Sequence, residues 1–85
     1  MRLETSRGGA FDADLVFPIN AGEYLLIQLR ESESRPLSAV AADFEGLTGI
    51  TCEDGRDYSE YTDLRAAARM GQGAVQLHLY KKTLA

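Results

Sequence analysis

Few side chains in this 85-residue chain could do chemistry: there is one histidine, one cysteine and one dense acidic run. His78 is suited to general-base catalysis, but no serine or cysteine in a nucleophile turn accompanies it. A single histidine also cannot build a histidine-based metal site. Cys52 cannot form an intrachain disulfide, and we expect it to be a buried, inert thiol. The sequence therefore predicts no catalytic residue.

The densest acidic run is Glu53-Asp54-Gly55-Arg56-Asp57. A calcium loop needs alternating acidic ligands before its glycine and a bidentate glutamate at its twelfth position. This chain lacks that order, and Leu64 stands at the twelfth position counted from Glu53. We interpret the run as a solvated turn and helix cap, and we expect no metal and no other cofactor.

Two glycine-rich segments, Gly8-Gly9 and Gly71-Gln72-Gly73, are better explained by turns than by phosphate binding. Neither is followed by Lys-Ser or Lys-Thr, and neither joins a strand to the start of a helix as a phosphate loop does.

Charge is distributed unevenly around a net value of −4. Residues 43–63 hold seven acids against Arg56, whereas residues 64–85 hold four basic residues and no acid. General nucleic-acid binding is disfavoured, because such proteins carry a basic excess that meets phosphates. We expect instead an acidic patch that meets a protein partner with a basic surface, and its interaction candidates are Glu53, Asp54 and Asp57.

Length and composition predict a single small globular domain over residues 1–85, with 45% apolar and 26% charged residues. A chain of this size buries a small core, so a protein partner or a second copy in a homodimer would add burial. Apolar runs such as Leu25–Ile27 are far too short to cross a bilayer, and residues 1–10 lack a signal-type segment. We therefore expect a cytoplasmic protein without membrane contact.

Two segments, Glu23–Arg30 and Ala74–Lys81, alternate with the period of two that a strand requires. A shorter strand is predicted at Leu15–Ile19, where Pro18 indicates an edge position, and Asn20-Ala21-Gly22 supplies a turn. The expected inward-facing residues of the two long strands are Leu25, Ile27, Leu29, Val75, Leu77 and Leu79.

Further strands are expected at Arg2–Ser6 and at Leu47–Glu53, the latter leading into the tight turn Asp54-Gly55. Leu37, Val40, Ala41 and Phe44 follow helical spacing, which favours a short helix over Pro36–Glu45 that stops at Gly46, although a strand there stays open.

The strongest helix signals fall on Ser59–Met70. Asp57 and Glu60 resemble a capping box, basic residues come late, and Gly71 stands where a helix-ending glycine belongs. Taken together, the patterns predict an α+β fold. We expect a small antiparallel or mixed sheet of about four to five strands, one long helix at Ser59–Met70 and a short one at Pro36–Glu45.

The second face of the two long strands shows Tyr24, Leu26, His78 and Tyr80, an amphipathic set of the kind enriched at protein interfaces. These four residues are the remaining interaction candidates. The alternative is that the helix Pro36–Glu45 covers them, which would make them part of the core or of its margin.

Asp54-Gly55-Arg56, followed by Tyr61 and Asp63–Ala67, resembles the hairpin and helix of small phage head–tail joining proteins, whereas the strand Ala74–Lys81 departs from their pattern. A structural subunit of a larger, phage-type assembly is one hypothesis, in which a strand edge such as Ala74–Lys81 pairs with a neighbour, although Lys81 and Lys82 disfavour an open edge.

Without a catalytic set, our first hypothesis is a non-enzymatic protein-binding module: an inhibitor, adaptor or regulatory subunit. The second is a small oligomeric enzyme or ligand binder, whose site forms between subunits from His78, Tyr80 or Tyr58, because one domain of this size rarely encloses a ligand. The structural subunit is the third.

Overall fold

Two antiparallel sheets and one helix form the described part of the chain, which in this computed structural model comprises residues 1–6, 9–33, 35–45 and 50–81. The elements in chain order are β1 (Arg2–Thr5), β2 (Ala10–Asp12), β3 (Leu15–Ile19), β4 (Tyr24–Arg30), α1 (Leu37–Phe44), β5 (Ile50–Cys52), β6 (Tyr61–Gly71) and β7 (Ala74–Lys81).

The larger sheet has the strand order β3-β4-β7-β6, and all of its neighbours are antiparallel. Its two central strands pair Leu25 with Leu79, Ile27 with Leu77, and Leu29 with Val75. These side chains point to one side, which we call the inner face, and each of them is at most 2% exposed. Cross-strand apolar pairs of this kind are the main stabilising units of a sheet.

The smaller sheet, in the order β2-β1-β5, and helix α1 cover the inner face. The helix contributes Val40 and Phe44 to the same buried cluster, and the rings of Phe44 and Phe11 lie 4.8 Å apart. Full burial of each large apolar side chain contributes about 1.5–3 kcal/mol. The single core of the described residues therefore lies between the two sheets and the helix.

Glu31, directly after β4, fastens the helix to the larger sheet. One carboxylate oxygen accepts a hydrogen bond from the Leu37 N–H at 2.9 Å, and the other accepts from Arg69 Nε of β6 at 2.7 Å. Pro36 stands at the N-cap without a side-chain capping bond, so the more distant Glu31 fills that role. The Arg69 side-chain bond, opposed by partial burial and assisted by the Leu37 bond, lowers the pKa of the Glu31 carboxyl.

Most predicted elements are confirmed. Strands lie within Arg2–Ser6, at Leu15–Ile19, within Glu23–Arg30 and at Ala74–Lys81, and a short helix lies within Pro36–Glu45. β3 is an edge strand, as Pro18 indicated, and the turn after it runs through positive-φ backbone at Asn20, Ala21 and Gly22. The three positive-φ residues close this hairpin through the Gly22 N–H, which donates to the Ile19 carbonyl.

Several predicted positions fall outside the described residues: Gly8, the helix stop at Gly46, residues 47–49 of the predicted strand Leu47–Glu53, and Lys82. The rest of that strand is present as β5, and the turn after it is confirmed: the Gly55 N–H donates to the Cys52 carbonyl, and Gly55 has a φ of 89°. The anticipated single sheet is two sheets, and both are antiparallel rather than mixed.

The long helix predicted at Ser59–Met70 is wrong, because this segment forms the edge strand β6. Asp57 does not cap a helix; its carboxylate accepts hydrogen bonds from the N–H and the hydroxyl of Ser59 in a turn that leads into the strand. The resemblance to phage head–tail joining proteins required a helix in this segment, and the chain has a strand there instead.

Pairing with β7 explains why a helix-rich composition folds as a strand. Without β6, the second edge of β7 would carry unpaired backbone groups beside the apolar core. The connecting residues Gln72 and Gly73 have φ values of 55° and 77°, the left-handed conformation that a tight two-residue hairpin requires. Helix propensity is worth a few tenths of a kcal/mol per residue, and tertiary pairing overrides it.

The same alanine-to-valine change at two exposed positions distinguishes a strand from a helix. In β6, Ala67→Val places a β-branched side chain in a strand, so we expect the free energy of unfolding to rise by about 0.5 kcal/mol. In α1, Ala42→Val should lower it by a similar amount, because branched side chains lose rotamer freedom in helices. Urea unfolding of both variants measures the two signs, and a decrease at Ala67 would contradict the strand.

Candidate interaction face

The side of the larger sheet opposite the core, which we call the outer face, is made of three cross-strand rows. Each row takes one residue from β3, β4, β7 and β6 in turn, because directly paired residues point to the same side. The rows are Ile19–Tyr24–Tyr80–Asp63, Phe17–Leu26–His78–Ala66 and Leu15–Gln28–Gln76–Ala68.

Helix α1 does not cover this face, since its buried residues Val40 and Phe44 pack into the core on the other side. The alternative that Tyr24, Leu26, His78 and Tyr80 belong to the core is therefore wrong: all four are half-buried and stand outside the core cluster. Phe17 is 55% exposed and Leu15 is 41% exposed. The fold thus brings together the four strand-face candidates and adds large apolar neighbours to them.

Aromatic rings form a continuous stack across the middle of the outer face. The Tyr24 ring lies 4.9 Å from the Tyr80 ring and 4.9 Å from the His78 ring, and the Arg65 guanidinium lies 4.4 Å from the centre of the Tyr80 ring. Such contacts hold the side chains in fixed orientations. The Tyr24 ring thus contacts two neighbouring rings.

Four polar side chains of the outer face form two pairs. Arg65 Nε donates to the Asp63 carboxylate at 2.8 Å, and the Gln76 amide donates to the Gln28 side-chain oxygen at 3.2 Å. At the end of the sheet, Arg30 Nε donates to the Asp14 carboxylate at 3.0 Å. A partner on this face would therefore meet an apolar and aromatic surface without net charge, although the whole chain carries −4.

The acidic candidates Glu53, Asp54 and Asp57 lie elsewhere, in the turn that follows β5 of the smaller sheet. Asp54 accepts from the backbone N–H of Arg56 and from its Nε at 2.7 Å, and the backbone bond, with the side-chain bond, lowers the pKa of the Asp54 carboxyl. The bonds from Ser59, the hydroxyl first, lower the pKa of Asp57. Two of the three acids thus stabilise the turn itself.

Cys52 is buried as expected. Its burial, together with the nearby Asp54 carboxylate, raises the pKa of the thiol, which keeps it protonated at neutral pH. Within the ranges that the structure covers, no group of three or more histidine, cysteine or acidic side chains is arranged to hold a metal ion. No helix within these ranges has both the length and the apolar character that a bilayer-spanning helix needs.

Tyr58 does not join His78 and Tyr80. It packs against the core and lies 5.9 Å from the Tyr61 ring, whereas His78 and Tyr80 stand on the outer face. β7 also has no free edge, because β4 and β6 pair with it on both sides, so the prediction that its edge joins a neighbouring subunit is wrong.

Sequence reasoning missed two groups of outer-face residues. The first, Leu15, Phe17 and Ile19, lies on a strand that was predicted, but Val16 between them is apolar as well, which hides the buried side. The second, Ala66 and Ala68, was assigned to a helix. An early assignment of Gln72-Gly73 as a hairpin loop would have found them, because it fixes the register of β6 on β7.

Comparison of the chain with protein-family models, with curated proteins and with solved structures gave no match.

Acid should weaken the turn after β5. The pKa values of Asp54 and Asp57 are lower in the folded state, so both carboxylates stabilise the fold above the unfolded-state pKa of about 4. That stabilisation is lost as the pH falls through the folded-state values. Asp57→Asn keeps an oxygen acceptor but cannot titrate, so its urea midpoint should fall less than that of the wild type between neutral pH and about pH 2.

Glu53→Gln is the matched control. This neighbouring carboxylate makes no ion pair or side-chain hydrogen bond among the described residues, so its removal should leave the acid-induced fall of the wild type in place. Equal falls for the wild type and Asp57→Asn would contradict the role given to Asp57.

Proposed function

We propose that this chain is a small non-enzymatic protein-binding module that acts as an inhibitor, adaptor or regulatory subunit, and that it binds its partner through the outer face. The observation that carries this proposal is an apolar, aromatic sheet face, with Phe17 55% exposed, on the side away from the core. Contiguous apolar patches on a small domain mark sites of interaction.

The anatomy of the outer face supports a protein partner. Its centre holds Tyr24, Tyr80 and Leu26, residue types that enrich the cores of interfaces, and its charged side chains Asp63 and Arg65 pair with each other at one margin. Tyrosines already held by stacking lose little conformational entropy when a partner binds.

Nucleic acid fits the outer face poorly. Single-stranded binders offer free aromatic faces to the bases and unpaired cations to the phosphates. Here the Tyr24 and Tyr80 rings stack on each other, and Arg65 is bound to Asp63.

His78 offers little support for catalysis. Its ring lies against Tyr24, and its imidazole makes no hydrogen bond within the described residues that would orient it as a general base. It contributes amphipathic surface to the outer face instead.

A charge placed at the centre of the exposed apolar edge should abolish partner binding. Tagged Phe17→Asp protein and tagged wild type are each incubated with a lysate of the native cell. We expect the variant to capture about one tenth as much partner or less, because binding would bury a carboxylate that lacks a counter-ion. Quantitative mass spectrometry of the retained proteins, further copies of this chain included, measures the loss.

Ser38→Asp is the matched control, because it adds the same charge at an exposed position of α1, away from the outer face. It should retain partners as the wild type does, and urea unfolding should show that both variants are folded. Equal retention by Phe17→Asp and Ser38→Asp would refute binding through the outer face.

A further inference from the structure

We infer that the partner on the outer face is a second copy of this chain, packed face to face about a two-fold axis parallel to the strands. This inference rests on the proposed function, because it names the occupant of the same face. It is carried by the shape of the face, its charge pairing and its area.

The outer face is high along the β3 edge and, in two of its three rows, low along the β6 edge. β3 carries the large apolar residues Leu15, Phe17 and Ile19, whereas β6 carries Ala66 and Ala68 in the rows of Phe17 and Leu15. A two-fold axis parallel to the strands lays β3 of one copy over β6 of the other, so the high edge meets the low edge twice. An axis across the strands would set β3 on β3 and leave a gap above the alanines.

Register gives this arrangement specific contacts. Phe17, Leu26, His78 and Ala66 form one row, and rotation about an axis along the strands keeps each row at its own level. Phe17 of one copy then lies above Ala66 of the other, and Leu26 lies above His78. Two aligned sheets pack about 10 Å apart with their side chains interdigitated, which suits a large residue opposite a small one.

Charge does not oppose self-association at this face. Two acidic copies repel one another in general, but the outer face holds Asp63 and Arg65 as an internal pair at 2.8 Å. The acids that lack an ion pair among the described residues include Glu53 and Asp57, which belong to the turn after β5. A strongly basic partner would find no free carboxylate on the outer face, whereas an identical neutral face matches it.

The area of the face predicts a reversible dimer. Four strands spaced about 4.8 Å apart and three rows deep present roughly 400 Å² of flat surface. Two such faces bury less than the roughly 1,200 Å² of a standard stable interface, which is the range of weak and transient complexes. The apparent mass should therefore rise with concentration, from one chain towards two.

Cysteine pairing tests both the partner and the axis. Phe17→Cys and Ala66→Cys are mixed in equal amounts and oxidised with oxidised glutathione, while the native Cys52 stays buried. We expect at least tenfold faster formation of disulfide-linked dimer in the mixture than in either variant alone. Phe17→Cys mixed with Ser38→Cys, whose new thiol lies on α1, gives the rate of random collision.

Each outcome decides the inference. Excess linkage between positions 17 and 66, with a mass that rises towards two chains in sedimentation equilibrium, supports it. Faster linkage of Phe17→Cys to itself refutes the axis, and a mixture no faster than the collision control refutes the second copy. If that control result holds while Phe17→Asp still loses a different protein, only this inference fails; if Phe17→Asp loses only a nucleic acid or changes no association, the proposed function fails with it.

Discussion

Three apolar pairs between β4 and β7 hold the rest of the molecule in place: Leu25–Leu79, Ile27–Leu77 and Leu29–Val75. They form the centre of the larger sheet, and each of their side chains is almost fully excluded from water. This burial requires another layer of the protein on that side of the sheet. The smaller sheet and α1 supply that cover on one side. The strand β6 is then recruited to the free edge of β7, and the turn at Gln72 and Gly73 brings it there.

The described residues cover one face of the four-stranded sheet and leave the other open. The helix and the smaller sheet cover the inner face. Glu31 fixes the helix there by accepting hydrogen bonds from the Leu37 N–H and from Arg69 Nε. The aromatic stack and the internal ion pair of the outer face reduce the cost of exposing it, because the rings pack on one another and the Asp63 and Arg65 charges neutralise each other.

Local periodicity predicted the parts of the fold that carry large apolar side chains. β4 and β7 alternate cleanly, and the spacing of Val40 and Phe44 marks the buried side of α1. The strand β6 was not predicted because register shifts between Leu64 and Ala66 and between Arg69 and Gly71 break its alternation, and its inward positions Ala67 and Arg69 carry no large apolar side chain. Asp57 and Gly71 also imitate the two ends of a helix. An acid that accepts a hydrogen bond from the N–H two residues later resembles an N-cap, and a positive-φ glycine before a hairpin turn resembles the glycine that ends a helix.

The candidate face was predicted only in part for the same reason. Tyr24, Leu26, His78 and Tyr80 lie on the two well-patterned strands, so their common side followed from a period of two. The positions of the flanking strands β3 and β6 beside them could not be predicted. Leu15, Val16 and Phe17 are apolar on both sides of β3, and the alanines of β6 favour a helix. Pairing between distant segments, which no local pattern records, decides which residues join the face.

The most direct test of whether the outer face is open is an NMR measurement of solvent paramagnetic relaxation enhancement at the phenylalanine ring protons. A soluble gadolinium chelate added to a dilute sample produces the effect. The three phenylalanines of the chain sample three environments: Phe44 is 0% exposed, Phe11 is 5% exposed and Phe17 is 55% exposed. The structure predicts strong paramagnetic broadening of the Phe17 ring and almost none for Phe11 and Phe44. A Phe17 ring as protected as Phe44 in the dilute single chain would contradict an open outer face and the function proposed for it.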